Sequence, residues 1–330
     1  MKVHRRQFLH MVAGSVMLSL MSSSASALDF PSHPVTMIVP FAAGGPADVF
    51  GRIIAERMQR ALGQPVIVEN LPGAAGTIAA GKVARAAADG YSLLIGPGFS
   101  THVINPVIYN LSYDVVSDFQ PIALLTTTPN VIVANKAVPA NDLKELIAWL
   151  KVNPDRALQG TSGVGSIGHL AGVLFQKEAG TQYKFVPYRG LGPALQDLLA
   201  DRVNLVIDLP LNSLPYVRAG TLKAYAVLSP ARMTLAPDIP TVDEAGVPGL
   251  HLVGWYSIYG PKRIPKEVVT KLNAAAMETL TDPAVAKRLA ELGHEIVPRE
   301  QQTPSALRAV QKADMDKWWP LIKAAGIKAE

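Results

Sequence analysis

Twice along this 330-residue chain a short apolar run enters a glycine-rich turn and leaves as a helical pattern, and this repeat limits the folds open to it. The first copy is IVPFAAGGPADVFGRIIAERM, Ile38–Met58. Val35–Val39 reads as a buried strand between Pro34 and Pro40. From Asp48 the period changes: Phe50, Ile53, Ile54, Met58 and Leu62 recur at helical spacing, with Arg52, Glu56 and Arg60 on the opposite face and Gly63 as the stop. Pro65–Val68 is the next strand, Gly76–Ala88 an alanine-rich helix, and Ser92–Ile95 a third strand. Strands alternating with helices predict an α/β fold whose sheet is covered on both faces.

The pattern restarts after a helix at Asn141–Leu150. ALQGTSGVGSIGHLAGVLF carries a strand into a glycine–serine loop and a second helix, and YKFVPYRG, the helix Pro193–Leu199, VNLVIDL and LKAYAVL continue the alternation. Two apolar crossings, Pro121–Ala134 and His251–Pro261, separate the units, and helical patterns follow at Lys266–Leu280, Ala284–Leu292 and Pro304–Ala325. If these last helices pack back on the first unit, residues 28–127 plus 256–330 form one discontinuous lobe and 128–255 the other. The hinge crossings then fall near 124–134 and 251–260. Ligands of open α/β sheets bind beyond the carboxyl ends of the strands, so one cleft between the lobes would receive both glycine turns.

The first 27 residues stand apart. A basic start, an apolar centre at Met11–Met21 and the small residues Ala25-Ser26-Ala27 are the marks of a secretory leader cleaved after Ala27. Arg5-Arg6 suits either a twin-arginine or a general export signal. Lys2, Arg5 and Arg6 lie in that leader, so its removal lowers the formal charge from +5 to +2. A charge this small gives no footing for nucleic-acid binding. The chain has no cysteine, hence neither disulfides nor a lipidation site at the leader. The resulting expectation is a freely diffusing periplasmic monomer.

Gly44-Gly45-Pro46-Ala47-Asp48 lets backbone N–H groups at a helix start approach an anion, with Asp48 also able to cap. The lysine and hydroxyl of a Walker loop are missing, which disfavours a triphosphate. Gly163-Val164-Gly165-Ser166-Ile167-Gly168 spells G-x-G-x-x-G, but a dinucleotide fold needs an acid about 20 residues on. That region holds Gln182, Tyr183 and Lys184 instead. A carboxylate nest aided by the Ser162 and Ser166 hydroxyls explains the loop better. His33, His102, His169, His251 and His294 show no metal-ligand spacing. Ser166 and His169 stand i, i+3 without a nucleophile elbow, so neither metal nor catalytic residues are assigned. Arg189 after its strand could fork a carboxylate or lie on the surface. Asp208, ending NLVIDL, either faces the cleft or caps the next turn.

Taken in order, PVTMIVPFAAGGPADVFGR, VIVENLPGAAGTIAA, DGYSLLIG, TSGVGSIGHLAGVLF, FVPYRGLGPALQDLLADRVNLVID and GWYSIYGPKRIPKEVV resemble the Bug-type receptors of tripartite tricarboxylate transporters. The resemblance runs from Pro34 to near the C-terminus. It implies a two-lobed periplasmic-binding-protein fold, type II-like, with two mixed sheets flanked by helices and a ligand cleft between lobes. It also implies capture of a small mono- or dicarboxylate, aromatic ones included, without cofactor or chemistry, and delivery to a membrane permease. A related reading has the loaded receptor addressing a sensor kinase; the rival class is an exported enzyme or dinucleotide protein. Carried over, Phe41, Gly44, Gly45 and Asp48 form the first ligand loop with Ala74 and Ala75 beside it. Ser162, Gly163, Ser166 and His169 form the second, Arg189 and Asp208 lie near the ligand, and Ser100 and Thr101, with His102 next to them, are specificity candidates. Family members commonly carry a proline where this chain has Ala42-Ala43.

Overall fold

The computed structural model describes residues 30–188 and 190–328. The leader read from residues 1–27 and the side chain of Arg189 lie outside them.

Parallel strands β1 (Val35–Val39), β2 (Val66–Asn70) and β3 (Ser92–Pro97) are joined by α1 (Pro46–Leu62) and α2 (Thr77–Ala84). Proline at the first turn starts α1, and Gly63 ends it at φ 70° with its N–H donating to Gln59 O. Its apolar stripe, Phe50, Ile53, Ile54 and Met58, is fully buried on the sheet. Helix α2 stops four residues short of the span its alanines suggest, because residues 85–89 bury no continuous face. Alanine propensity without packing does not sustain a short helix.

After β3 the chain makes a π-turn at Phe99–Ile104, a short α3 (Asn105–Ile108) and the long strand β4 (Phe119–Pro129). One residue, Asn130, separates β4 from β5 (Val131–Asn135), which belongs to a second sheet. There follow α4 (Leu143–Val152), β6 (Leu158–Thr161), α5 (Ile167–Ala179), β7 (Lys184–Pro187), α6 (Leu191–Leu199), β8 (Leu205–Asp208), α7 (Pro210–Arg218) and β9 (Leu222–Val227). The chain then returns through β10 (Val253–Pro261) and closes with α8 (Lys266–Thr281), α9 (Pro283–Glu291), β11 (Glu295–Ile296) and α10 (Pro304–Ala324).

The first sheet runs β11-β4-β10-β3-β1-β2 and the second β7-β6-β8-β5-β9. Both are mixed: β10 is antiparallel to β3 and β4, and β5 to β8 and β9, while β6 is parallel to β7 and β8. The two chain passages are stitched to each other. Leu228 N donates to Asn130 O (2.8 Å), Leu252 N to Leu228 O (3.0 Å), and Asn130 Nδ2 to Leu252 O (3.2 Å). A single apolar cluster also crosses between the layers, joining Phe99 and Trp318 to Ile132, Leu170 and Phe175.

Candidate functional site

The carboxyl ends of β1, β2 and β3 put three loops side by side. Phe41–Gly45 leads into α1, Gly73–Gly76 into α2, and Gly98–Ile104 into α3. Their closeness is read at Gly76 (φ 93°), where a Cβ would stand 2.9 Å from Pro40 Cβ and 3.2 Å from Thr101 Cγ2. Ala74 and Ala75 hold left-handed φ of 43° and 51°, a conformation that costs a residue with a Cβ about 1–2 kcal/mol. The fold keeps it by anchoring the turn: Asn105 Nδ2 donates to Ala75 O (2.9 Å) and Gly76 N to Gly73 O (2.9 Å).

In the first loop Gly44 takes φ 80°, which favours glycine, whereas Gly45 is the extended N-cap of α1 at φ −79°, ψ 169°. Asp48 is buried in the first turn. Its Oδ2 accepts from Gly44 N (2.8 Å) and from Arg52 Nε (3.0 Å), and Arg52 Nε is also 2.9 Å from Oδ1. The Arg52 hydrogen bond, outweighing burial, holds the Asp48 carboxyl down at about 2. Asp48 therefore stays ionised and faces its own loop. Arg52 reaches on to Asn70 Oδ1 (3.1 Å), and Asn70 Nδ2 donates to Phe41 O (3.1 Å). Among the specificity candidates, Ser100 is half-buried, but Thr101 turns inward, its hydroxyl 3.3 Å from Pro97 O and 2.9 Å from His102 Nδ1. His102 is buried and stacks on Tyr259 at 3.8 Å.

The second set of loops follows β6, β7 and β8. Ser162 and Gly163 (φ 126°) leave β6, and a Cβ on Gly163 would lie 3.7 Å from Tyr188 O of the neighbouring loop. Ser166 is the N-cap of α5, its Oγ accepting from His169 N (3.3 Å), so its own proton is free to point at a ligand. His169 Nδ1 accepts from Gly165 N (3.0 Å), which places the proton of the neutral ring on Nε2. Burial lowers the His169 pKa and keeps it neutral. His169 thus shapes the loop by holding the backbone N–H of Gly165.

Asp208, at the carboxyl end of β8, is buried beside the passage at Asn130, since its strand partner is Val131. Its Oδ1 accepts from Leu209 N (2.5 Å) and Asn212 Nδ2 (3.1 Å), while Oδ2 is buried without a partner among the described residues. Desolvation pushes its pKa up to about 7. A folded pKa above the unfolded value contributes stability below pH 4, and that contribution disappears as pH rises through about 7. Asp208→Asn keeps the two hydrogen bonds and removes the charge. Its melting temperature should exceed the wild type's at pH 8, by a margin that shrinks through pH 5 and closes only at about pH 4 and below; equal melting temperatures at pH 8 would show that Asp208 is not a buried charge.

The second set of loops packs on the layer of the first sheet. A Cβ on Gly165 (φ 76°) would stand 2.8 Å from Ile108 Cδ1 and 3.6 Å from Ile327 Cγ2, both from the layer of the first sheet. Ile167 Cδ1 lies 3.7 Å from the corresponding point on Gly254 in β10. The structure thus brings the carboxyl ends of both sheets against one another. Sequence reasoning missed Asn70, Ile108 and Ile327. Sequence reasoning set Arg52 on one face with Glu56 and Arg60; its i+4 spacing from Asp48 is the local signal of that pair, whereas nothing local marks contacts made across 18 or more residues. Among the described residues no cluster of three or more potential metal ligands occurs, and no helix is long and apolar enough to cross a membrane.

Two mixed, helix-flanked sheets whose strand ends face each other define the two-lobed periplasmic-binding-protein class. Within it, the chain belongs to the tripartite tricarboxylate transporter receptor family (TctC), whose sequence model matches residues 50–327. Three solved structures are similar throughout. The periplasmic binding protein BugD is 39% identical, with a TM-score of 0.76 over 91% of this chain and 100% of its own. MatC from Rhodopseudomonas palustris, with bound malate, is 36% identical, with a TM-score of 0.77 over 89% and 100%. Rpa4515 of R. palustris, with adipate, is 34% identical, with a TM-score of 0.79 over 91% and 99%.

Proposed function

We propose that this protein is a periplasmic receptor that closes its two lobes on a small dicarboxylate and passes it to the membrane permease of a tripartite tricarboxylate transporter, with no chemistry on the ligand. The observation that carries this reading is the pairing of Gly44-Gly45 at the start of α1 with Gly163–Ser166 at the start of α5, each at the carboxyl edge of its own sheet. Both helices are long enough for their first-turn N–H groups and dipole to favour a carboxylate. Two such starts, brought to one cleft by closure of the lobes, would suit a ligand with an anion at each end. Malate and adipate in the similar structures are of that kind. In this reading the lobes are 28–127 plus 256–330 and 128–255, the stitched passages at Asn130 and Leu252 are the hinge, and residues 1–27 direct export.

A thermal-shift screen of the mature protein against mono- and dicarboxylates tests it. A dicarboxylate such as malate or adipate at 100 times its dissociation constant should stabilise the fold by about 2.7 kcal/mol, and Ser166→Ala should weaken the effect. Tightly co-purifying nucleotide, or turnover of a carboxylate ester, would overturn the reading.

A further inference from the structure

The first-lobe loop is closed by a relay of side chains that the ligand reading does not use. Asp48 takes the N–H of Gly44 at the end of the loop, Arg52 links Asp48 to Asn70, and Asn70 holds the carbonyl of Phe41 at its beginning. Three residues from α1 and β2 thereby clamp both ends of a five-residue loop whose other backbone bonds are Gly45 N to Ala42 O at 3.4 Å and the first helical bonds of Asp48 N and Val49 N to Gly45 O, each 3.0 Å. The Arg52 side chain is about half exposed (54%), so as an ion pair alone it adds little to stability. Its geometry serves two other ends. The fork spans two acceptors that a lysine could not bridge, and its positive charge offsets a buried carboxylate lying one turn from the site offered to an anion.

Resting on the carboxylate reading above, we infer that Arg52, with Asp48 and Asn70, is a positioning and charge-balancing element. The three fix the path of Phe41–Gly45, and Arg52 sets how much negative charge the first lobe accepts. Asp48 is then not a ligand contact. Without Arg52 its carboxylate remains buried and ionised beside the incoming anion, and repels a dianion more than a monoanion of the same length.

Two measurements on the full mature chain test this. Calorimetric titration compares adipate with hexanoate, its monocarboxylate counterpart, and with malate. Arg52→Leu should weaken dicarboxylate binding by about tenfold or more and hexanoate by distinctly less. Adding Asp48→Asn should recover most of the loss, and Arg52→Lys should retain the ratio between the two ligands. Unchanged dicarboxylate affinity in Arg52→Leu, or no recovery in the double variant, would overturn the charge-balancing role. Amide exchange of the ligand-free protein probes the clamp separately. Asn70→Ala and Asp48→Ala should speed exchange in a peptide covering 41–50 and leave 162–169 as it was; unchanged exchange at 41–50 would overturn the positioning role. If the wild type binds none of the three acids, the carboxylate reading fails while the exchange result still decides the clamp.

Discussion

Gly45→Trp is expected to abolish carboxylate-dependent stabilisation in a protein that still folds. The backbone at Gly45 is ordinary extended chain, φ −79° and ψ 169°, which any residue adopts. A Cβ there meets only Ala42 O, at 3.3 Å, and no other atom within 4 Å outside its chain neighbours. The indole therefore projects into open space over the start of α1 instead of into the core. Loss of glycine at an N-cap costs about 1 kcal/mol, which lowers the melting temperature of a domain this size by about 2–4 °C. The same indole covers the first-turn N–H groups that the ligand would use. A thermal-shift titration of the wild type and the variant side by side checks both halves. Retained stabilisation in the variant would place the ligand away from this loop.

Phe50→Ala is expected to produce a large loss of stability, about 3–5 kcal/mol, read from the urea midpoint. Phe50 is wholly buried and packs on Tyr256 (4.6 Å between centroids) and His294 (4.7 Å), the one from β10 and the other from the turn before β11. It thereby pins α1, and with it Gly45, Asp48 and Arg52, to the central strands of the first sheet. Truncation leaves a cavity against a strand and a buried histidine, neither of which can collapse freely. His294 is itself held neutral by burial, its pKa lowered to about 3, so a variant that admits water beside it relaxes the fold further. A midpoint shift equivalent to less than about 1 kcal/mol would mean that α1 is held chiefly by its other contacts.

Much of the fold was legible because it rests on local periodicity. The strand–glycine–helix units, the burial of Phe50, Ile53, Ile54 and Met58 and the stop at Gly63 all follow from spacing and from residues whose backbone preference is intrinsic. The extent of α2 was not legible, since burial and not alanine content decided where it ended. The inward turn of Thr101 was hidden for the same reason. Its neighbours Pro97, Gly76 and His102 leave it a buried position, and a hydroxyl looks alike in sequence whether it faces a cleft or a carbonyl.

The sequence alone determined that two glycine-bearing helix starts exist, that each follows a strand's carboxyl end, and that no Walker lysine or fingerprint acid accompanies them. These are properties of short segments, where one residue's φ preference or a missing side chain suffices. Only the tertiary structure decided that the second start packs on the layer of the first sheet, Gly165 against Ile108 and Ile327, and that Asn70 joins Arg52 to the carbonyl of Phe41 and so ties Asp48 into its own loop. Those contacts join segments tens to hundreds of residues apart. Their energy comes from packing and desolvation that no single segment carries.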